Sequence, residues 1–382
     1  MNKVGIVGYY QVPPALDHNM GRYELIFQAV RGALDNVGLK HKDVTSVVSA
    51  TNDYYDGRTI SNCFTVEAGG GYMKDETKVE MDGAFAVHYG MLRALTGHHK
   101  LVLVWGGSMS SCYPYSSSTL LSTDPTFERP LELINDMTAG AFQMRAYMNH
   151  FNVSAEDIAQ VAVKNRRNAT SNELALPESQ LPAATTEMIL KADVLSSPVT
   201  ELMYSHPCDG AACILLAPEQ QALKIRDDPV WITGVGYSQE AYYLGDRDLT
   251  QSQSMKNAAQ MAYKMAGVKD PKKETDVAEV FEHFAHEEMI FSEALGFCKP
   301  GEGASLSTEI GGELPINPSG GAMSGNTPCA TGMIRLIEAA KQIHGDASEH
   351  QVKDVHRVVA SGQIGLCAQN NILFVLERGG RK

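Results

Sequence analysis

The sequence predicts an α/β protein made of two similar halves, each with a central sheet between helices. Three observations lead there. Short apolar runs of strand type alternate with amphipathic helical segments. The order strand, helix, strand, helix, strand occurs twice at similar spacing, as duplication of a whole domain would produce. The 382 residues suffice for two ordinary domains or one large duplicated unit.

The first half is read over 1–225 and the second over 226–382. Val4–Tyr9 has the continuous apolar character of a buried strand, and Tyr23–Val37 has helical periodicity ending at Gly38. Val44–Ala50 is a second strand. The tip VEMDG, 79–83, runs directly into a helix over Ala84–Leu95, and Leu101–Trp105 is the next strand. The second half repeats this order with strand Val230–Tyr237, helix Ser254–Ala266 before Gly267, and strand Val277–Phe281. Helix Thr331–Ile343 and strands Val355–Ser361 and Ile372–Glu377 close the chain. Residues 113–203, polar and rich in Met, Ser and Pro, read as a large insertion in the first half, a common place for binding surface.

A net charge of −13 with no basic stripe argues against nucleic acid as a partner; the longest basic run is Lys164–Arg167. No apolar run approaches the roughly 18 residues of a membrane span, and the first ten residues read as a strand, not a leader. Seven scattered cysteines without a CxxC pair point to a reducing, cytoplasmic setting and no structural zinc.

The stretch with most chemical character is Glu313–Gly332, ELPINPSGGAMSGNTPCATG. Gly320, Gly321 and Gly325 let backbone approach a ligand, and the helix that follows points free N–H groups into the loop. Its counterpart in the first half is the helix start Asp82-Gly83-Ala84. Two such tips meeting in one pocket would steady an anion, an enolate oxygen or a thioester carbonyl.

The segments VEMDGAFAVHYG, KNRRNA, CDGAACILLA, EVFEHF with EALGFCKPGEG, and LPINPSGG with ATG resemble the thiolase superfamily. The resemblance spans the chain and is greatest to the sterol-carrier-protein-x and archaeal branch. It implies a duplicated five-layer α/β/α/β/α thiolase fold, at least a homodimer, and acyl-CoA chemistry with coenzyme A as co-substrate and no covalently bound cofactor. The implied reaction is Claisen condensation or its thiolytic reverse.

The departures from the family pattern are informative. Where thiolases place a nucleophilic cysteine the chain has Gly83, which excludes an acyl-enzyme there. Where they carry a loop histidine it has Asn326, which can donate to an oxyanion but is no base. The motif Phe281-Glu282-His283-Phe284 moves the imidazole by two positions, and Cys367 comes late in the closing loop. Such losses occur in two kinds of relative that pair with a small zinc-ribbon/OB-fold subunit. One comprises retro-aldolases of β-hydroxyacyl-CoA, which have Tyr where this chain has Phe281; the other comprises thiolase-like subunits such as the (S)-2-benzoylsuccinyl-CoA thiolase type.

The candidate catalytic set is therefore His283 as base, Glu282 as its orienter, Asn326 with Gly83 backbone as oxyanion donors, and Cys329 or Cys367 as a displaced nucleophile. The ordinary reading of both cysteines is as small buried hydrophobes. Arg166 and Arg167 are candidates for the CoA phosphates, or a solvated helix face, and Gly320 and Gly321 for close backbone approach. His283 and His286, spaced i, i+3, make no metal site. Three functions stay open: thiolysis of a 3-oxoacyl-CoA, retro-aldol cleavage of a 3-hydroxyacyl-CoA, and a catalytically silent scaffold.

Overall fold

The apolar runs become strands of a nine-stranded sheet, and the periodic segments become helices on its faces. The computed structural model describes residues 3–113, 115–131 and 134–379. The extreme ends of the two expected halves, and Pro114, Glu132 and Leu133 of the expected insertion, lie outside the described residues.

In chain order the strands are β1 (Val4–Gln11), β2 (Ser46–Ala50), β3 (Asp75–Val79), β4 (Val102–Ser108), β5 (Gly210–Pro218), β6 (Val230–Gln239), β7 (Val277–Glu279), β8 (Arg357–Ile364) and β9 (Asn370–Glu377). The helices used below are α1 (Arg22–Asp35), α2 (Gly83–Leu95), α3 (Asp136–Phe151), α4 (Ala155–Ala169), α5 (Gln253–Ala266), α6 (Ala285–Ala294) and α7 (Thr331–His344).

The sheet order is β3-β2-β4-β5-β1-β6-β9-β8-β7. Its two halves join where β1 meets β6 in a short antiparallel ladder, Val4 opposite Ile232 through Ile6 opposite Val230. Outward from that seam the pairings mirror one another. β1–β5 and β5–β4 are antiparallel and β4–β2 parallel, while β6–β9 and β9–β8 are antiparallel and β8–β7 parallel. Duplication is thus written into the hydrogen-bond pattern, with β3 added at one edge.

Side-chain alternation along each strand sorts the core into layers. Val7, Val47, Leu103 and Trp105 pack on α1 to one side. Val48, Val104, Ile214, Val358 and Phe374 pack with the residues of α2 and α7 into a central layer. Val359, Leu373 and Val375 pack on the far side with α5, α6 and the helices of the 135–170 region. Helix, sheet, helix, sheet, helix is the five-layer arrangement that the motifs implied.

β7 stops at Glu279, short of the expected Phe281. Beyond it, side chains take over from the ladder: Val280 N donates to Asn317 Oδ1 at 2.8 Å and Phe281 N to Ser361 Oγ at 3.0 Å. That release frees 281–284 to leave the sheet and enter α6.

Candidate active site

The starts of α2 and α7 meet, as the pseudo-symmetry predicted. Asp82 caps α2, its Oδ1 accepting from Ala84 N at 2.9 Å, and its Oδ2 accepts from Gly332 N of α7 at 3.0 Å. One carboxylate thus joins the first turns of both central helices, where backbone N–H groups are otherwise unpaired. Glycine is required at 332, because a Cβ there would overlap Asp82 Oδ1. Burial raises the Asp82 carboxyl to about 6, against the lowering effect of the N–H groups of Ala84, Gly332 and Gly83.

Gly83 itself is closed. A Cβ at this position would lie 2.8 Å from Met333 Cβ and 2.9 Å from Cys329 O, too close for a side chain of any kind. The place where thiolases carry their cysteine has lost its room as well as its sulfur.

Beside these tips lies a cavity of 280 Å³, lined among others by Asp82, Tyr55, Tyr115, Asp136, His283 and Asn326. Asp136, the first residue of α3, comes from the expected insertion. Its Oδ2 is 2.5 Å from His283 Nε2. His283 Nδ1 is 2.8 Å from Ser205 Oγ, and that hydroxyl donates to His283 O at 3.0 Å. Both ring nitrogens are thus engaged, Nε2 with Asp136 and Nδ1 with Ser205. Burial disfavours a charged ring, yet Asp136, Glu287 and Glu282 outweigh it and raise the histidine above its ordinary value. Below the ring, Glu287 Oε2 accepts from His283 N at 2.7 Å and from Gln363 Nε2 at 2.8 Å.

The structure redistributes several expected roles. Asn326 lines the cavity, but its Nδ2 donates to Ser205 O at 3.0 Å and lies 3.2 Å from Ser205 Oγ and His283 Nδ1. Its Oδ1 accepts from Thr331 Oγ1 at 2.8 Å, so the amide holds the imidazole's surroundings together and keeps no N–H for a substrate oxygen. Glu282, expected to orient His283, points the opposite way into a sealed polar cluster. There Asn317 Nδ2 donates to its Oε2 at 2.9 Å, and Asn165 Nδ2 to its Oε1 at 3.1 Å. Gly320 (φ 99) and Gly321 (φ 65) wrap that cluster instead of a ligand, and a Cβ at 321 would overlap the Glu282 carboxylate.

Cys329 does line the cavity, in a left-handed conformation (φ 65). The expected lowering of its thiol by the helix dipole does not prevail: burial pushes it up to about 12, with Arg22 opposing and Asp82 adding to the rise. Cys367 is outside the lining, its Sγ donating to Ala139 O at 3.2 Å, and burial raises its thiol too. Arg166 is buried beside Pro182 O, and Arg167 pairs with Glu309 at 3.1 Å; neither borders the cavity.

Sequence reasoning missed Asp136, Ser205, Tyr55 and Tyr115 as site residues. Asp136 carried one signal, the turn-prone Asn135 before it: Asn135 Oδ1 caps α3 and so fixes where the carboxylate starts. Tyr55 and Tyr115 are phenols whose ionisation burial opposes, so both stay protonated donors in the cavity wall.

Residues 236–378 match the thiolase C-terminal domain-like family. An acetyl-CoA acetyltransferase of Methanothermobacter thermautotrophicus is 27% identical over 367 residues, 92% of this chain and 94% of that protein. Over nearly its whole length the chain is therefore similar to a thiolase-type enzyme. The benzoylsuccinyl-CoA thiolase subunit BbsB of Thauera aromatica is 28% identical over 234 residues, 59% of this chain and 60% of that one. Among solved structures, the chain overlays the Ltp2-ChsH2(DUF35) aldolase with a TM-score of 0.83 at 22% identity, covering 98% of this chain and 97% of that chain, a likeness of fold.

Proposed function

We propose that the chain breaks, or in reverse makes, the C2–C3 bond of an acyl-CoA without forming an acyl-enzyme. The observation that carries this reading is the His283–Asp136 pair facing a cavity at the meeting of two helix starts. C–C cleavage of this kind runs through an alkoxide at C3. Its collapse breaks C2–C3, makes a carbonyl at C3 and leaves the electron pair as a thioester enolate. The His283 ring, whose charged form the neighbouring carboxylates favour, and protonated phenols steady the enolate oxygen, in a setting poor enough in water to make each contact count. Ser205 and Asn326 hold the ring in place.

The thiolase-type version takes a 3-oxoacyl-CoA. The thiol of CoA adds to C3, and two acyl-CoA products leave. The similarity to an acetyl-CoA acetyltransferase and to a benzoylsuccinyl-CoA thiolase subunit supports it. A second reading is retro-aldol cleavage of a 3-hydroxyacyl-CoA, where the alkoxide forms by loss of the hydroxyl proton. The closed position 83 is compatible with both versions, because neither needs a protein sulfur.

The same reading includes CoA as co-substrate, a homodimer core and a small zinc-ribbon/OB-fold partner subunit. Exposed Tyr54, Ile60, Phe64 and Met73, leading into edge strand β3, support an association surface. A cytoplasmic location is supported by seven cysteines that are all free.

The test is product analysis. The protein is incubated with 3-oxoacyl-CoA plus CoA, and separately with 3-hydroxyacyl-CoA, with and without candidate partner subunits. Two shorter CoA esters establish the thiolytic version; one CoA ester plus an aldehyde or ketone establishes the retro-aldol. Absence of C–C cleavage across both series contradicts the reading.

A further inference from the structure

Both ring nitrogens of His283 are taken up within the fold, Nε2 2.5 Å from Asp136 Oδ2 and Nδ1 2.8 Å from Ser205 Oγ, so neither is open to a substrate proton. Some other group must take the proton from the C3 hydroxyl or the CoA thiol. The cavity offers two carboxylates, Asp82 and Asp136. Asp136 Oδ2 is occupied by His283 Nε2 at 2.5 Å.

Asp82 is different. Its hydrogen bonds come from backbone N–H groups, and no cationic side chain is bonded to it among the described residues. Lys78 near the same strand end is held by Asp53 and Glu80. Asp82 is 4% exposed and packs against Gly332 and Gly362, where an added Cβ would overlap its Oδ1 at the first and lie 2.8 Å from it at the second. A buried anion with no counter-charge is costly unless the fold has a use for it.

Resting on the function proposed above, we infer that Asp82 is the general base of this chain, standing beside the vacated nucleophile position and shuttling the proton from C3–OH, or from CoA–SH, to C2. In the retro-aldol, Asp82 takes the hydroxyl proton as the C3 alkoxide forms. C2–C3 then breaks, the electron pair passes to the enolate, and Asp82 returns the proton to C2. In the thiolytic case the proton comes from the CoA thiol as its sulfur bonds to C3, and after C2–C3 breaks it is delivered to C2. No oxidant or metal enters, and the carboxylate is regenerated each turn.

The titratable groups around Asp82 are Glu80 before it, Tyr54 and Tyr55 from the Asp53–Asp56 helix, and Cys329 before α7. Asp136, His283 and Tyr115 line the same cavity, and β8 contributes Gly362, Gln363 and Ile364, none of them charged. Loss of the Asp82 proton sets the acid limb of activity, which rises with pH through about 6.

The experiment uses the full chain, with whatever partner it requires, on the acyl-CoA it cleaves. kcat/KM is measured against pH, and deuterium entry at C2 of the product is measured in heavy water. Asp82→Asn and Asp82→Ser are compared with the parent, the serine serving as a cap that still accepts an N–H. Both variants are expected to lose about 10²–10⁴-fold in kcat with KM within about threefold, to lose the acid limb, and to lose C2 exchange equally. Turnover within threefold of the parent, with the limb unchanged, would show that Asp82 only caps helices. Should either variant fail to fold, a parent profile lacking an acid limb between about pH 5 and 7 overturns the proposal by itself. No cleavage by the parent overturns the proposed function and this role with it, whereas an active parent with indifferent variants overturns this role alone.

Discussion

His283 and His286 stand three residues apart where the chain enters α6, and the fold treats them in opposite ways. His283 borders the cavity, paired with Asp136, and burial is outweighed by neighbouring carboxylates. His286 is buried against Phe284 with Gln143 Oε1 3.2 Å from its Nε2 and no bond to Nδ1, and desolvation lowers it to about 3. The same side chain is thus pushed toward its charged form on one side of the segment and toward its neutral form on the other. Glu282 adds to the contrast: it adjoins His283 in sequence yet belongs to the sealed cluster with Asn165 and Asn317. What separates function from structure here is which partners each group has and whether substrate can reach it, not residue type or position in a motif.

The contrast is broken hardest at the cavity. His283→Gln removes the imidazole proposed to steady the enolate, and turnover is expected to fall about 10²–10⁴-fold in steady-state kinetics. The stability of the chain falls too, since Asp136 is left buried without its counter-charge. A variant with parental kcat would place the chemistry elsewhere.

Gly83→Cys tests whether the older nucleophile position can be reopened. The new side chain meets Met333 and the Cys329 carbonyl, so the expected outcome is a loss of about 1–3 kcal/mol in denaturant unfolding and no gain in acyl transfer. A stable, faster variant would contradict the closed geometry.

His286→Leu gives the smallest and most specific effect. In the unfolded chain His286 binds a proton near 6.5, whereas in the fold it does so only near 3. Between those values the unfolded state holds more protons, so this group's contribution is fully present above 6.5 and is lost as pH falls toward 3. The slope from one such group is up to about 1.4 kcal/mol per pH unit. Thermal melts should show a shallower acid decline in the leucine variant, with little change in activity.

Much of the fold was legible because strand and helix periods differ and because the order of elements repeats. The convergence of Asp82-Gly83 with the start of α7 was legible for the same reason. The catalytic wall was not. Asp136 and Ser205 lie far from His283 in sequence, and nothing in local pattern says that α3 brings a carboxylate to the ring. Glycines mark close backbone approach but not what approaches: Gly321 admits the Glu282 carboxylate, where a ligand was expected. Arg166 and Arg167 were read from charge alone, while burial and the Glu309 pair decide their surroundings.

The most direct test of chemistry without an acyl-enzyme is the intact mass of the protein quenched during turnover of an acyl-CoA that it cleaves. The expected result is product formation with the mass of the unmodified chain throughout. An acyl increment that appears and decays at the rate of turnover, mapped to Cys329 or Cys367, would contradict it.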